Sequence, residues 1–252
     1  MRSLQLVRHA TLRVKIGGST FLVDPMLSPA GAMPAIDNTA NDLRNPLVEM
    51  PMAVEEVLDG VDAILVTHTH RDHWDAAATS LIHKHMPILC QPEDREKFHE
   101  WGYEDVRPIY AAAVFAHTTM HRTGGQHGTG EIGKAMAPVS GYSLRARTGG
   151  EVYISGDTIF CDEVRQALEE HKPKYTVVNA GGARFNEGDA ITMAAEDVVE
   201  VCRAAPWTKV IAVHMEAINH CGVRRAELAE ALEREGLRDR VLIPADGQVV
   251  SL

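Results

Sequence analysis

The chain of 252 residues runs through one order of elements twice: short alternating strands first, then strands that alternate with helices. The opening "LQLVRHA", "TLRVKIG" and "TFLVDP" alternate apolar and polar positions, with Gly17-Gly18 as a hairpin turn, so an antiparallel start is expected. "VDAILV" follows as a buried strand, then the helix "AAATSLIHKH", the strand "PILC" and the helix "PEDREKFHEW", whose acidic residues lie at the end the helix dipole favours. The second round opens with "APVSGYSLRAR" and "EVYISGD", joined at Gly149-Gly150. It continues through the helix "DEVRQALEE", the strand "YTVVNA", the helix "ITMAAEDVVEVCRA", the strand "KVIAVH", the helix "RRAELAEALERE" and the strand "RVLIPA". No Pro/Ser/Gly-rich linker separates the rounds. The expected architecture is therefore a single α/β domain over 1–252, with two sheets covered by helices in a four-layer αββα sandwich.

Residues 28–52, "SPAGAMPAIDNTANDLRNPLVEMPM", show no sustained period and are rich in proline and glycine, which predicts a long loop. Met26, Leu27, Met33, Leu43, Leu47 and Met50, in or beside it, need cover from water. A lid over a pocket would supply that cover, and so would an arm docked on a neighbouring chain; a homo-oligomer is expected.

The four cysteines, Cys90, Cys161, Cys202 and Cys221, are far apart and form no C-x-x-C, the pattern of reduced thiols in a cytoplasmic protein. The start "MRSLQLVRHATLRV" is broken by charges every few positions and has neither a signal-peptide core nor the ~18 apolar residues of a membrane span. A formal net charge of -10 and the lack of any Lys/Arg-rich run argue against a nucleic-acid partner. A small molecule is the expected partner.

Directly after "VDAILV" comes "THTHRDHWD", residues 67–75. His68 and His70 are two apart on chain leaving a strand and so project to one side, with Asp72 and His73 at the turn into a helix near Trp74. Imidazoles and a carboxylate converging there suit Zn²⁺, Mn²⁺ or Fe²⁺. One segment cannot fill two metal shells, and further candidates stand at similar places. Asp157 in "EVYISGDTIF" and His214 in "KVIAVHMEAINHC" both follow buried strands. "HTTMHRTGGQHGTGE" adds His117, His121 and His127, among which spacing alone does not choose.

The order H-x-H-x-D-H, lone His, G-D-T, strand-terminal His resembles the metallo-β-lactamase fold hydrolases over almost the whole chain, "FLVDP" included. "RHAT", "LVDPML" and "HMEAINHC" resemble more closely the branch that includes L-ascorbate-6-phosphate lactonase. The resemblance implies one site from His68, His70 and His127, and a second from Asp72, His73 and His214, with Asp157 between them. His127 is preferred because "HG" followed by "APVSGYSL" resembles the family pattern. Two divalent cations, Zn or Mn with Fe as a further option, would then hold a bridging hydroxide that cleaves a small ester, lactone, amide or phosphoester. Asp72 and His214 are the implied catalytic residues, Asp72 accepting a hydrogen bond from that hydroxide. A redox diiron protein and a non-catalytic metal-binding subunit are the alternatives on this fold. The first calls for a more carboxylate-rich site and a flavin partner, the second for lost ligands.

Around these residues, His9 is either an exposed turn histidine or a group facing ligand or substrate. Asp24 is expected to orient a ligand imidazole or hold the loop. His220 is read as a substrate contact or structural hydrogen bond. Asn179, Gly181, Gly182 and Arg184 form a candidate rim, where Arg184 either pairs with an anionic substrate group or makes a surface salt bridge. His83, His85, His99 and His171 are expected at the surface.

Overall fold

The structure, a computed structural model, describes residues 2–252. The first round supplies β1 (Ser3–Arg8), β2 (Thr11–Ile16), β3 (Ser19–Val23), α1 (Val54–Leu58), β4 (Ala63–Val66), α2 (Ala76–Leu81), β5 (Ile88–Cys90), α3 (Arg95–Glu100) and β6 (Val106–Pro108). The second supplies β7 (Ala112–Phe115), β8 (Thr118–Thr123), α4 (Gly130–Met136), β9 (Gly141–Ala146), β10 (Glu151–Ile154), α5 (Asp162–His171), β11 (Tyr175–Asn179), α6 (Ala195–Ala204), β12 (Lys209–Val213), α7 (Arg225–Arg234), β13 (Val241–Leu242) and β14 (Val249–Ser251).

Each round makes one sheet, except that β14, at the end of the second, joins the first. One has the order β14-β1-β2-β3-β4-β5-β6, the other β13-β12-β11-β10-β9-β8-β7. Within each, the strands pair antiparallel up to β3 or β10 and parallel from there on, because helical crossovers then replace hairpins. Leu6, Leu12, Phe21 and Leu65 of the first sheet meet Tyr142, Leu144, Ile154 and Val177 of the second in a core between the sheets. A second cluster fills the space between the outer face of the second sheet and α5 to α7, and a third packs α1 to α3 on the first. Four layers follow: the αββα sandwich.

Several boundaries differ from those read in the sequence. The helix expected over "AAATSLIHKH" ends at Leu81, since Ile82 is extended, and it starts from an Asp75 cap whose carboxylate accepts the Ala78 N–H at 2.8 Å. In "ITMAAEDVVEVCRA" the helix begins only at Ala195. α1, α4, β6 to β8 and β14 are additions; β14 is three residues long and owes its existence to pairing with β1 across the whole chain length. His171, expected at the surface, is buried beside Glu151 and His121. Among the described residues no helix is long and apolar enough to cross a membrane.

The loop at 28–52 is tied down at both ends and at its tip. Arg8, fully buried, donates to the carbonyls of Val48, Met26 and Ser28 at 2.9, 3.0 and 2.8 Å. Asn219 accepts from Ile36 N and Asn45 Nδ2 at 2.9 and 2.8 Å, and donates to Thr39 Oγ1 at 2.7 Å and Asn41 O at 2.9 Å. Met26 and Leu27 are buried under it, while Leu43 is exposed.

Candidate metal centre

The parallel strands of both sheets point their C-terminal ends to one side. Asp24 follows β3, His68 follows β4, Asp157 follows β10, Asn179 ends β11 and His214 follows β12. In open α/β sheets this is where ligands bind. Gly156 makes the turn into Asp157 with φ +68°, and a Cβ there would lie 2.5 Å from the Ser140 carbonyl oxygen, so only glycine brings the carboxylate in at this height.

His68, His70 and His127 bring ligand atoms within 4.8 Å of one another; so do His68, His73 and Asp157, and so do His9, Asp72, His73 and His214. Asp157 lies between the groups: its Oδ2 is 3.1 Å from His73 Nε2 and 3.5 Å from His127 Nε2, and its Oδ1 is 3.3 Å from His214 Nε2. Asp72 Oδ2 is 3.4 Å from His214 Nε2. All of these residues except His70 are buried.

The outer hydrogen bonds decide which ring nitrogen faces inward. Asp24 accepts from Thr67 N at 2.8 Å, from Thr67 Oγ1 at 2.7 Å and from His73 Nδ1 at 2.8 Å. The single Thr67 hydroxyl proton is thereby spent on Asp24, so at 3.0 Å it is His68 Nδ1–H that donates to Thr67 Oγ1. His127 Nδ1–H donates to the Ile191 carbonyl at 2.7 Å. In each case Nε2 is left with its lone pair toward the centre, which is how ligand imidazoles are held by outer partners. Asn179 Nδ2 donates to Asp157 Oδ1 at 2.6 Å.

These donors fit divalent cations. His73 Nε2 and His214 Nε2 are buried without a hydrogen-bond partner, and His68 Nε2 faces His70 Nδ1 at 2.9 Å. Unpaired buried nitrogens of this kind are costly, and divalent cations held by these imidazoles and carboxylates would satisfy them together. The protein charges agree. Burial would raise the Asp157 carboxyl, but the His214 and His73 rings outweigh it and hold it well below the usual range. Burial would lower His73, yet Asp157 and then Asp72 lift it well above its ordinary value.

His9 is not an exposed turn residue. It is fully buried, stacks on His214 at 3.6 Å between ring centres and meets Asp72 Oδ2 through Nε2 at 3.1 Å. Burial, and then His214, push it down to about 3, so the ring is neutral. His117 is exposed, and His121 lies on β8 beside His171, so of the three histidines only His127 reaches the centre. Arg184 is exposed and is not in the wall of the cavity that opens over the centre; the arginine there is Arg71, anchored by a 2.6 Å bond to the Ala35 carbonyl. That cavity holds about 280 Å³ and is walled by Ile36, Met136 and Phe185 together with His70, Arg71, Asp72, His127, Asp157 and His220. Ile36 and Phe185 come from loops and Met136 from the last residue of α4, and none of the three carries a local sequence signal. Thr67, adjacent to His68, was within reach of a motif reading.

Comparison with known proteins agrees with this geometry. The family described as Beta-lactamase superfamily domain matches residues 19–215. The UPF0173 protein YddR of Bacillus subtilis (strain 168) is 36% identical over 245 residues, 96% of each chain. The isothiocyanate hydrolase from Delia radicum gut bacteria superposes with a TM-score of 0.95 at 35% identity, covering 99% of both chains. A possible metal-dependent hydrolase from Veillonella parvula DSM 2008 superposes at 0.96 with 32% identity, covering 100% of this chain and 99% of that one. The chain belongs to the beta-lactamase superfamily.

Proposed function

We propose that the protein is a metal-dependent hydrolase that uses two divalent cations to add water to a small, uncharged electrophile bearing an apolar substituent, with isothiocyanates as the first class to test. The observation that carries this reading is the cavity: ligand-type side chains form its floor, and Ile36, Met136 and Phe185 form apolar walls above them. The similarity at 35% identity to a protein named isothiocyanate hydrolase supports the substrate class. His68, His70 and His127 would hold one cation, and Asp72, His73 and His214 the other, with Asp157 shared. When bound, such a pair supplies a nucleophile from water at neutral pH and polarises the atom under attack.

The chain supplies the rest. Asp72 reaches the cavity wall and is fixed by His9, which places a carboxylate to accept a proton from the attacking water. His220 also lines the cavity; burial lowers it, but its hydrogen bond with Cys221 outweighs this and raises it, which favours the protonated ring as donor to charge developing on the substrate. The apolar walls exclude bulk water and take up the substituent. For an isothiocyanate, water adds to the central carbon to give a thiocarbamic acid, which then parts at its C–N bond to amine and carbonyl sulfide.

The resemblance to the lactonase-containing branch keeps lactones, esters, amides and phosphoesters in the comparison. Protein reconstituted with Zn²⁺ or Mn²⁺ is to be assayed against alkyl and aryl isothiocyanates and against each of those classes. Saturable amine release from isothiocyanates, exceeding turnover of the others in kcat/KM, is expected. Turnover of a lactone or phosphoester with none of any isothiocyanate would sink the substrate reading.

A further inference from the structure

Three of the inward-facing histidines have an oxygen partner behind them: a carboxylate for His73, a hydroxyl for His68 and a carbonyl for His127. His214 has a sulfur. Its Nδ1 lies 3.7 Å from Cys221 Sγ, within reach of a hydrogen bond to sulfur, while its Nε2 points at Asp72 and Asp157. Since Nε2 must offer a lone pair to a cation, Nδ1 carries the proton and donates it. The backbone is built around this contact. A turn closed by Cys221 N to Ile218 O at 3.1 Å folds the cysteine back beneath His214. Val223 N to Gly181 O at 2.9 Å clamps that turn to the chain leaving β11. A Cβ on Gly181 would stand 2.1 Å from the His214 carbonyl oxygen and 3.0 Å from Cys221 Sγ, so the glycine of "NAGGARF" is what lets the three segments close.

We propose that Cys221 is the positioning residue for His214: its sulfur accepts the His214 Nδ1–H and keeps Nε2 aimed into the metal centre. The proposal rests on the metal-centre reading above. It differs from a packing role in one measurable respect. Alanine and serine have nearly the same volume, both smaller than cysteine, but only serine accepts a hydrogen bond; valine accepts none and is larger than cysteine by about a methyl group. Packing alone therefore gives Cys221→Ala and Cys221→Ser similar losses, and an acceptor role sets Cys221→Ser above both Cys221→Ala and Cys221→Val.

The experiment titrates Zn²⁺ into metal-free wild type, Cys221→Ala, Cys221→Val and Cys221→Ser against a chelator of known affinity, with ¹⁵N spectra of the histidine rings in the loaded proteins. Loss of an outer partner typically costs about 10–100-fold in metal affinity. Cys221→Ala and Cys221→Val are expected to lose that much at the ion that His214 would hold, Cys221→Ser to lose less, and the His214 Nδ1–H signal to persist in Ser and exchange faster in Ala and Val. Should the Val variant not fold, the Ala and Ser variants alone carry the comparison. Wild type that binds Zn²⁺ together with a Val or Ala variant that binds it equally well overturns this proposal alone, as does a Ser variant no better than Val or Ala. Wild type that binds no Zn²⁺ overturns the metal-centre reading and this proposal with it.

Discussion

His9, Asp24 and His214 all hold left-handed backbone, with φ of 61°, 45° and 66°. Such a conformation costs on the order of 1–3 kcal/mol per non-glycine residue and persists where surrounding contacts over-determine it. Here the contacts are visible: Thr11 Oγ1 donates to the Asp24 carbonyl at 2.8 Å, and His214 N donates to the His9 carbonyl at 2.9 Å. The strained residues are the ones that aim or hold the metal-facing groups. Asp157 makes the sharpest prediction at this scale. Because its two oxygens face different histidines, Asp157→Ala is expected to weaken binding of both cations together, read as a drop in metal stoichiometry toward zero; loss of one ion with the other retained would make Asp157 a terminal ligand. Protons compete for the same atoms. Burial lowers His73 and His214, but Asp157 outweighs it and raises both well above their ordinary value. In the metal-free protein that raised affinity for protons contributes stability below the unfolded value of about 6.5. The contribution is lost as pH rises through the folded values. Metal displaces those protons, so its affinity rises with pH, by about tenfold per unit for each proton released. The gap in Tm between loaded and metal-free protein is accordingly expected to widen from pH 6 to pH 8, and a constant gap would show that neither ring releases a proton on binding.

At the level of elements, the loop at 28–52 behaves as a fixed wall. Arg8 straps its two ends and Asn219 holds its middle, so Ile36 is presented to the cavity from a segment with no helix or strand of its own beyond one bridge, Met33 to Asn45. The "RHAT" stretch thereby serves both structures: Arg8 the loop, His9 and Thr11 the centre. Asn219→Ala removes an amide that satisfies several buried groups at once. A loss of about 2–4 kcal/mol is expected, from ~1–3 kcal/mol for each buried partner left unpaired and partial rescue by water. Because Asn219 touches the loop and none of the metal-facing atoms, metal content should stay at the wild-type value while KM rises. A variant with normal KM and reduced metal would place the loop's role at the centre itself. Deleting residues 30–45 tests the same point more severely, and turnover should fall far more than metal binding.

For the whole molecule, the centre joins the two sheets, since His68, His70, Asp72 and His73 come from the first and His127, Asp157 and His214 from the second. Ligation there acts across the sandwich. Metal at a thousand times its Kd stabilises the folded state by about 4 kcal/mol, which in a chain of this size is about 8–16 °C in Tm. Chelation should lower Tm by that amount in calorimetry, and an unchanged Tm would mean that the sites are empty or weak. Much of this was legible in the sequence. Strand-then-helix order, given twice without a linker, sufficed for the four layers, because periodicity reports which faces must be buried. His68, His70, Asp72 and His73 could be read as a group since they are local, and Asp157 and His214 since each follows an apolar strand. Other features depended on residues far apart in the chain. His9 stayed open between a turn histidine and a group facing the site until the chain leaving β1 met the chain leaving β12 across the two sheets, His127 could not be chosen from His117 and His121 by spacing, and Arg184 turned outward while Arg71 took the cavity wall. β14 exists only as the partner of β1. Patterning records what a residue needs from solvent, and so determines layers and strand ends; which distant side chains share a cavity, and which nitrogen of a ring faces it, is set by packing and hydrogen bonds that form only when the two sheets close.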